Sequence, residues 1–175
     1  MTSNTTRHQK VIVTEERLVA RVRELAAQIT SDYAGRELDV VCLINGASTF
    51  NAGLVRHMGV PIRQHYLGFS AYSTGNSSGE VRVTLDVAEP LHGRHVLVVE
   101  GIVISGRTPA FIMAMLKLRG PASLEMCALG IKPKTLAVNF AIRYAGFELG
   151  PEFAVGYGIG HGPERSLPYL MEEPR

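Results

Sequence analysis

The chain has no tryptophan, only two cysteines in 175 residues, and an aromatic content of 7%. Cys42 and Cys127 each lie inside an apolar run. Two such cysteines exclude a disulfide scaffold and fit a reducing compartment, so a cytoplasmic location is the expectation. Long hydrophobic runs are missing as well. No stretch reaches the roughly 18 apolar residues of a membrane-spanning helix, so no membrane partner is expected. Met1 to Lys10 is polar and lacks the apolar segment of a secretory signal. An excess of one charge is also lacking. The 18 Lys+Arg against 16 Asp+Glu give +2, which argues neither for nor against nucleic acid, and no nucleic-acid partner is assigned.

What is present is globular. Hydrophobic residues make up 46% and charged ones 19%, which excludes disorder as the main state. The length suits a single domain over residues 11–175, preceded by a disordered tail over residues 1–10. Thr14 is placed to start a helix, with Glu15 and Glu16 in its first turn. Leu18, Val22, Leu25 and Ile29 then form one apolar stripe, and Gly35 closes the segment. Val40–Ile44 reads as a buried strand. Asn45-Gly46-Ala47 turns the chain into a helix over about Thr49 to Met58, and Ile62–Phe69 reads as another strand.

Ser70 to Gly79 holds four Ser, one Thr, two Gly and one Asn, which reads as a mobile loop. Val81, Val83 and Leu85 alternate with Arg82 and Thr84, as in a strand with one wet face. His95–Val99 is the clearest buried strand, followed by a turn and a helix over Pro109 to Leu118. Leu124 to Ile131 and Phe153 to Tyr157 read as further strands. This alternation predicts an α/β fold with a mainly parallel sheet.

The stretch richest in chemistry is Val98-Val99-Glu100-Gly101-Ile102-Val103-Ile104-Ser105-Gly106-Arg107-Thr108-Pro109. A buried strand runs into a Ser-Gly-x-Thr turn, with Pro109 suited to the first position of a helix. Free backbone N–H groups, two hydroxyls and a cation beside a helix N-terminus are the means of holding a phosphate. An ordinary turn with Thr108 as helix cap is about as good a reading of these residues alone. Gly156-x-Gly158-x-Gly160 imitates part of a dinucleotide fingerprint, but no helix pattern follows it. His92 and His95 lack the Cys, His or acid neighbours of a zinc site.

The 98–109 segment resembles the phosphoribosyl-diphosphate motif of type I phosphoribosyltransferases, V-V-E-D-I-I-D-T-G-x-T. Further motifs follow in the order of the hypoxanthine–guanine branch. Leu43-Ile44-Asn45-Gly46-Ala47 is similar to the diphosphate loop L-K-G-A/G. Ser70-Ala71-Tyr72 with Ser77-Ser78-Gly79 resembles the S-S-Y catalytic loop. Ile131-Lys132-Pro133 resembles D-K-P, and Gly146-Phe147-Glu148-Leu149 through Phe153–Gly158 resembles G-F-E-I-P-D-K-F-V-V-G-Y-G. Arg165-Ser166-Leu167-Pro168-Tyr169 resembles R-N-L-P-Y.

The resemblance implies a twisted, mainly parallel sheet flanked by helices. It adds a small hood built from the termini and the Lys132–Leu170 region. It implies a 5′-phosphate held at Ser105, Gly106, Arg107 and Thr108, and a diphosphate loop at Asn45 and Gly46. The purine would meet Lys132 at its 6-oxo group, stack on Phe153, and lie by Ala154 and Val155. Glu100 and Tyr72 would serve catalysis, Arg165 would assist, and a homodimer or homotetramer would form. Phosphoribosyl diphosphate or a purine nucleotide is the implied ligand, and magnesium the implied cofactor.

The departures fall on the chemistry. The second motif acid is Gly101, the acid that exchanges a proton with purine N7 is Ile104, and the acid after G-Y-G-L is Gly160. Asn45 replaces the loop lysine and Ala71 the serine before Tyr72. Magnesium favours carboxylate and phosphate oxygens, and Glu100 is left as the only candidate protein ligand. Losing general acid–base help costs about 10²–10⁴-fold. Transfer is therefore expected to be weak or absent, the alternative being a non-catalytic nucleotide sensor, regulator or partner subunit. Restoring acids by G101D, I104D and G160D is expected to rebuild the metal and base sites.

Overall fold

A strand such as Val40–Ile44, apolar at every position, has to be covered on both faces, and the fold is arranged around that need. The computed structural model describes residues 10–72, 80–137 and 141–173. The elements are β1 (Val11–Val13), α1 (Glu15–Asp32), β2 (Leu38–Ile44), α2 (Ser48–Val55), β3 (Ile62–Tyr72), β4 (Glu80–Leu85), β5 (His95–Val103), α3 (Arg107–Lys117), β6 (Ser123–Ile131), β7 (Tyr144–Glu148), β8 (Ala154–Val155) and β9 (Leu170–Glu172). Two short 3-10 turns, Pro133–Thr135 and Pro163–Ser166, complete them.

The main sheet has the order β4-β3-β2-β5-β6-β7. Every neighbouring pair is parallel except β3 with β4. Along β2, Val40 and Cys42 face one core with the α1 stripe and Phe50 and Leu54 of α2. Val41 and Leu43 face the other, under Ile112 and Leu116 of α3. Cys42 and Cys127 are buried free thiols. The α1 stripe buries Leu18, Val22, Leu25 and Ile29, and the Thr14 hydroxyl accepts from the Arg17 N–H at the helix start. No described helix is long and apolar enough to cross a membrane.

The hood is a second sheet, β1-β9-β8, in which both pairings are antiparallel. It joins the chain's ends: Val11 pairs with Met171, and the Glu172 N–H donates to Lys10 O. Lys10 is thus held by the hood rather than being part of a tail, and residues 1–9 lie outside the described ones.

Several predicted boundaries move. Helix α2 stops at Val55, not Met58, because the chain tightens there. The N–H groups of His57 and Met58 donate three residues back, to Leu54 O and Val55 O. Ser70–Tyr72 is strand rather than loop, because Ser70, Ala71 and Tyr72 pair with Arg82, Val81 and Glu80. Residues 73–79 of that predicted loop lie outside the described residues. Strand β4 buries neither face fully, with Leu85 46% exposed, since it is the sheet edge. Helix α3 begins at Arg107, capped by Gly106 rather than Thr108, so Pro109 takes the third helical position. The predicted strand over Phe153–Tyr157 shrinks to Ala154–Val155, because Gly156 turns the chain and its N–H donates to Ile159 O.

Candidate functional site

Parallel strands deliver their following loops to one edge of the sheet, and in open α/β sheets ligands bind outside that edge. Here β2 delivers Asn45-Gly46, β5 delivers Ile104–Thr108, and β6 delivers Lys132. Between them and the hood lies a cleft of two adjoining lobes, of about 560 Å³ and about 390 Å³.

The larger lobe is lined by Ser105, Gly106 and Thr108 on one side and by Asn45, Gly46 and Arg165 on the other. Gly106 caps α3 with φ 75°, a left-handed conformation that suits glycine. The Ser105 hydroxyl accepts from the Arg107 N–H at 3.4 Å, while Thr108 adds its own hydroxyl. The turn is pinned from behind by the Thr135 hydroxyl, which donates to Ile104 O at 2.8 Å, and by the Ala137 N–H, which donates to Ser105 O at 2.9 Å. Helix N–H groups of the first turn lack intrahelical acceptors, so this nest is suited to an anion. The Arg107 side chain is exposed and does not line the lobe, so that predicted cation contributes its backbone only. Arg165 braces the opposite wall: Nε donates to Gly158 O at 2.8 Å and Nη2 to Asn45 O at 3.1 Å. The peptide bond between Ile44 and Asn45 is cis.

The smaller lobe is lined by Lys132, Phe153, Ala154 and Val155 together, the four residues that the resemblance grouped. On residue type alone Phe153 suits a core and Lys132 a solvated surface, and both occupy the reverse environment. Phe153 is 68% exposed and Lys132 only 4%. The Lys132 ammonium donates to Glu152 O and lies 5.2 Å from the Phe153 ring centre. A buried amine beside an exposed ring can hold a flat, oxo-bearing heterocycle.

Glu100 lines both lobes. Burial pushes its carboxyl up to about 7, against the N–H of Gly101, which donates to Oε1 at 2.7 Å and favours the charged form. Ile104 also lines both lobes and is 45% exposed, so an apolar side chain stands in the cleft where an acid was expected. The side chain of Tyr72 lies outside the described residues. His161 is among the lining residues that the sequence did not single out, as are Phe69, Ile159 and Glu173. No local pattern marks His161, since it enters the cleft only through the turns at Gly158 to Gly162.

At two of the positions where the resemblance puts acids, the backbone is closely packed. A Cβ on Gly101 would lie 2.7 Å from Gly46 O, so the Asn45-Gly46 loop packs onto the strand backbone there. At Gly160, φ is 84° and a Cβ would lie 2.7 Å from the Val155 side chain. G101D would therefore have to displace the Gly46 backbone, and G160D would place a side chain at a positive φ against Val155, so both carry a structural cost that I104D does not. Among the described residues no group of three metal-ligating side chains occurs, and Glu100, with one oxygen engaged by the Gly101 N–H, is the one carboxylate at the junction of the two lobes, so magnesium there would be held chiefly by phosphate oxygens of the ligand.

The comparisons agree with this architecture. The phosphoribosyl transferase domain family matches residues 8–160. A hypoxanthine phosphoribosyltransferase of Haemophilus influenzae is 38% identical over 168 residues, 93% of this chain and 94% of that protein. A hypoxanthine-guanine phosphoribosyltransferase of Streptococcus thermophilus is 34% identical over 164 residues, covering 93% and 91%. A crystal structure of a hypoxanthine-guanine phosphoribosyltransferase from Bacillus anthracis superposes with a TM-score of 0.87 at 32% identity, covering 93% of this chain and 96% of that one. With an order of motifs, a sheet and a hood shared over nearly its whole length, the chain belongs to the hypoxanthine–guanine phosphoribosyltransferase family of type I phosphoribosyltransferases.

Proposed function

We propose that this chain is a purine-salvage phosphoribosyltransferase relative that binds a 6-oxopurine nucleoside 5′-monophosphate without a divalent cation, and whose transferase activity is weak. The phosphate sits on the Ser105–Thr108 nest, the sugar beside Glu100, and the purine against Phe153 and Val155 with its 6-oxo group at Lys132. The single observation that carries the reading is the contact of Gly46 with Gly101. It leaves the nest and the base lobe intact while removing the place for a second carboxylate.

Phosphoribosyl transfer forms a bond from purine N9 to C1 of the sugar as the bond from C1 to diphosphate breaks. The departing charge needs preorganised partners, and the proton of the purine needs an acceptor. Arg165 and the Asn45-Gly46 backbone remain on the diphosphate side, but Ile104 accepts no proton. Turnover of hypoxanthine or guanine is therefore at least ~100-fold below that of relatives with the full acidic motif. The alternative of a non-catalytic nucleotide sensor or partner subunit is favoured by the same Gly101 contact, and differs only in leaving no turnover at all.

Calorimetric titration of the folded protein with IMP and GMP, with magnesium and with chelator, tests the binding. Equal affinity in both media is expected, and absence of heat at millimolar ligand overturns the reading. An ordinary turnover of about 10 per second overturns the part that concerns activity.

A further inference from the structure

The two lobes of the cleft meet at Gly46, Glu100, Ile102, Ile104, Gly160 and His161, the six residues common to both linings. Two of these are glycines and two are isoleucines. Among the described residues at the junction, therefore, Glu100 and His161 are the ones that bear hydrogen-bonding side chains. A ligand with its phosphate in one lobe and its base in the other passes its sugar through this junction. Sugar hydroxyls both donate and accept. One oxygen of Glu100 is already engaged by the Gly101 N–H, which leaves that side chain a single oxygen for a ligand. A neutral imidazole supplies both an N–H donor and a bare nitrogen acceptor.

The backbone carrying His161 is held on both sides while the ring itself is exposed. Before it, the N–H of Gly156 donates to Ile159 O at 3.1 Å and Gly160 packs against Val155. After it, Gly162 turns with φ 78° into Pro163–Ser166, and Arg165 reaches back to Gly158 O. His161 is thus presented at a set place with a side chain free to meet a ligand.

We propose that His161 is a specificity-determining residue that hydrogen-bonds the sugar hydroxyls of the bound nucleotide, so that the cleft selects ribonucleotides over deoxyribonucleotides. This rests on the nucleotide-binding reading above. The test measures affinities for IMP, 2′-deoxy-IMP and 3′-deoxy-IMP in the full chain, in His161→Ala and in His161→Gln. The wild type is expected to favour IMP over at least one deoxy analogue by about threefold to tenfold, the range of one neutral hydrogen bond. In His161→Ala that ratio falls towards one, and in His161→Gln, which keeps a donor and an acceptor, part of it returns. A variant that is merely damaged weakens all three ligands together and keeps the ratio, an outcome that overturns the proposal. Unchanged IMP affinity in His161→Ala overturns it as well. Failure of the wild type to bind any of the three ligands overturns the nucleotide-binding reading itself, and this inference with it.

Discussion

Glu100 is a carboxyl whose folded-state pKa, about 7, stands above its ordinary value of 4.5 because burial penalises the charge. The folded protein therefore keeps a proton that the unfolded chain releases between about pH 4.5 and pH 7. Stability from this group is fully present below the lower value, falls across the interval, and is lost above the upper one. The full drop is on the order of 3 kcal/mol at most. Urea unfolding at pH 5 and pH 8 should show the decline in wild type, and Glu100→Gln, neutral throughout, should flatten it and be the more stable protein at pH 8. Gly101 and Ile104 make a second contrast. Gly101→Asp must displace Gly46 and is expected to cost about 1–3 kcal/mol, as overpacking does. Ile104→Asp projects into the open cleft, should fold within about 1 kcal/mol of wild type, and should raise the rate of nucleotide formation where Gly101→Asp does not. Steady-state assays with both variants decide this, and equal rates would remove Ile104 as the missing base position.

At the scale of elements, the phosphate nest depends on one dihedral angle. Gly106 caps α3 at φ 75°, and an L side chain there costs roughly 1–2 kcal/mol. Gly106→Ala is expected to lower stability by about that much and to weaken IMP more than the free base, because the N–H groups that meet the phosphate shift with the helix start. Calorimetry with both ligands reads the difference, and equal losses would place the phosphate elsewhere. The strands are anchored at the edge opposite the cleft. There Asp39, 1% exposed at the start of β2, accepts from Arg94 Nε at 2.6 Å and is paired with His65 Nε2 at 2.8 Å. Burial of a carboxylate is tolerated there because β3 brings it His65 and the turn just before β5 brings it Arg94.

Over the whole molecule, the loops of the main sheet line the larger lobe, and the smaller lobe is closed between them and the hood residues Ala154 and Val155. The hood holds because β9 lies between β1 and β8, and the N–H of Glu173 donates to Phe153 O at 2.7 Å. Deleting residues 1–13 removes β1 and the buried Val13 and uncovers Leu170. The deletion is expected to cost at least about 2 kcal/mol, the value of one large apolar side chain, and to weaken nucleotide while sparing inorganic phosphate at the nest. Denaturant unfolding and phosphate titration of the truncated chain check both parts.

Wherever apolar residues recur locally, the amino-acid order alone determined the outcome. The α1 stripe, the doubly buried runs of β2, β5 and β6, and a turn at Ser105-Gly106 leading into a helix were legible because each depends on neighbours a few residues away, although the helix starts two residues earlier than read. That Gly101, Ile104 and Gly160 stand at acid positions is implied by the resemblance and not by any local pattern. Strands β1, β7 and β9 were not legible, since three to five residues carry little periodicity and pair with partners far along the chain. Only the tertiary structure exposed Phe153, buried Lys132, brought His161 to the junction and set Gly46 against Gly101. These are close approaches through space between loops from different strands, and no spacing along the chain encodes them.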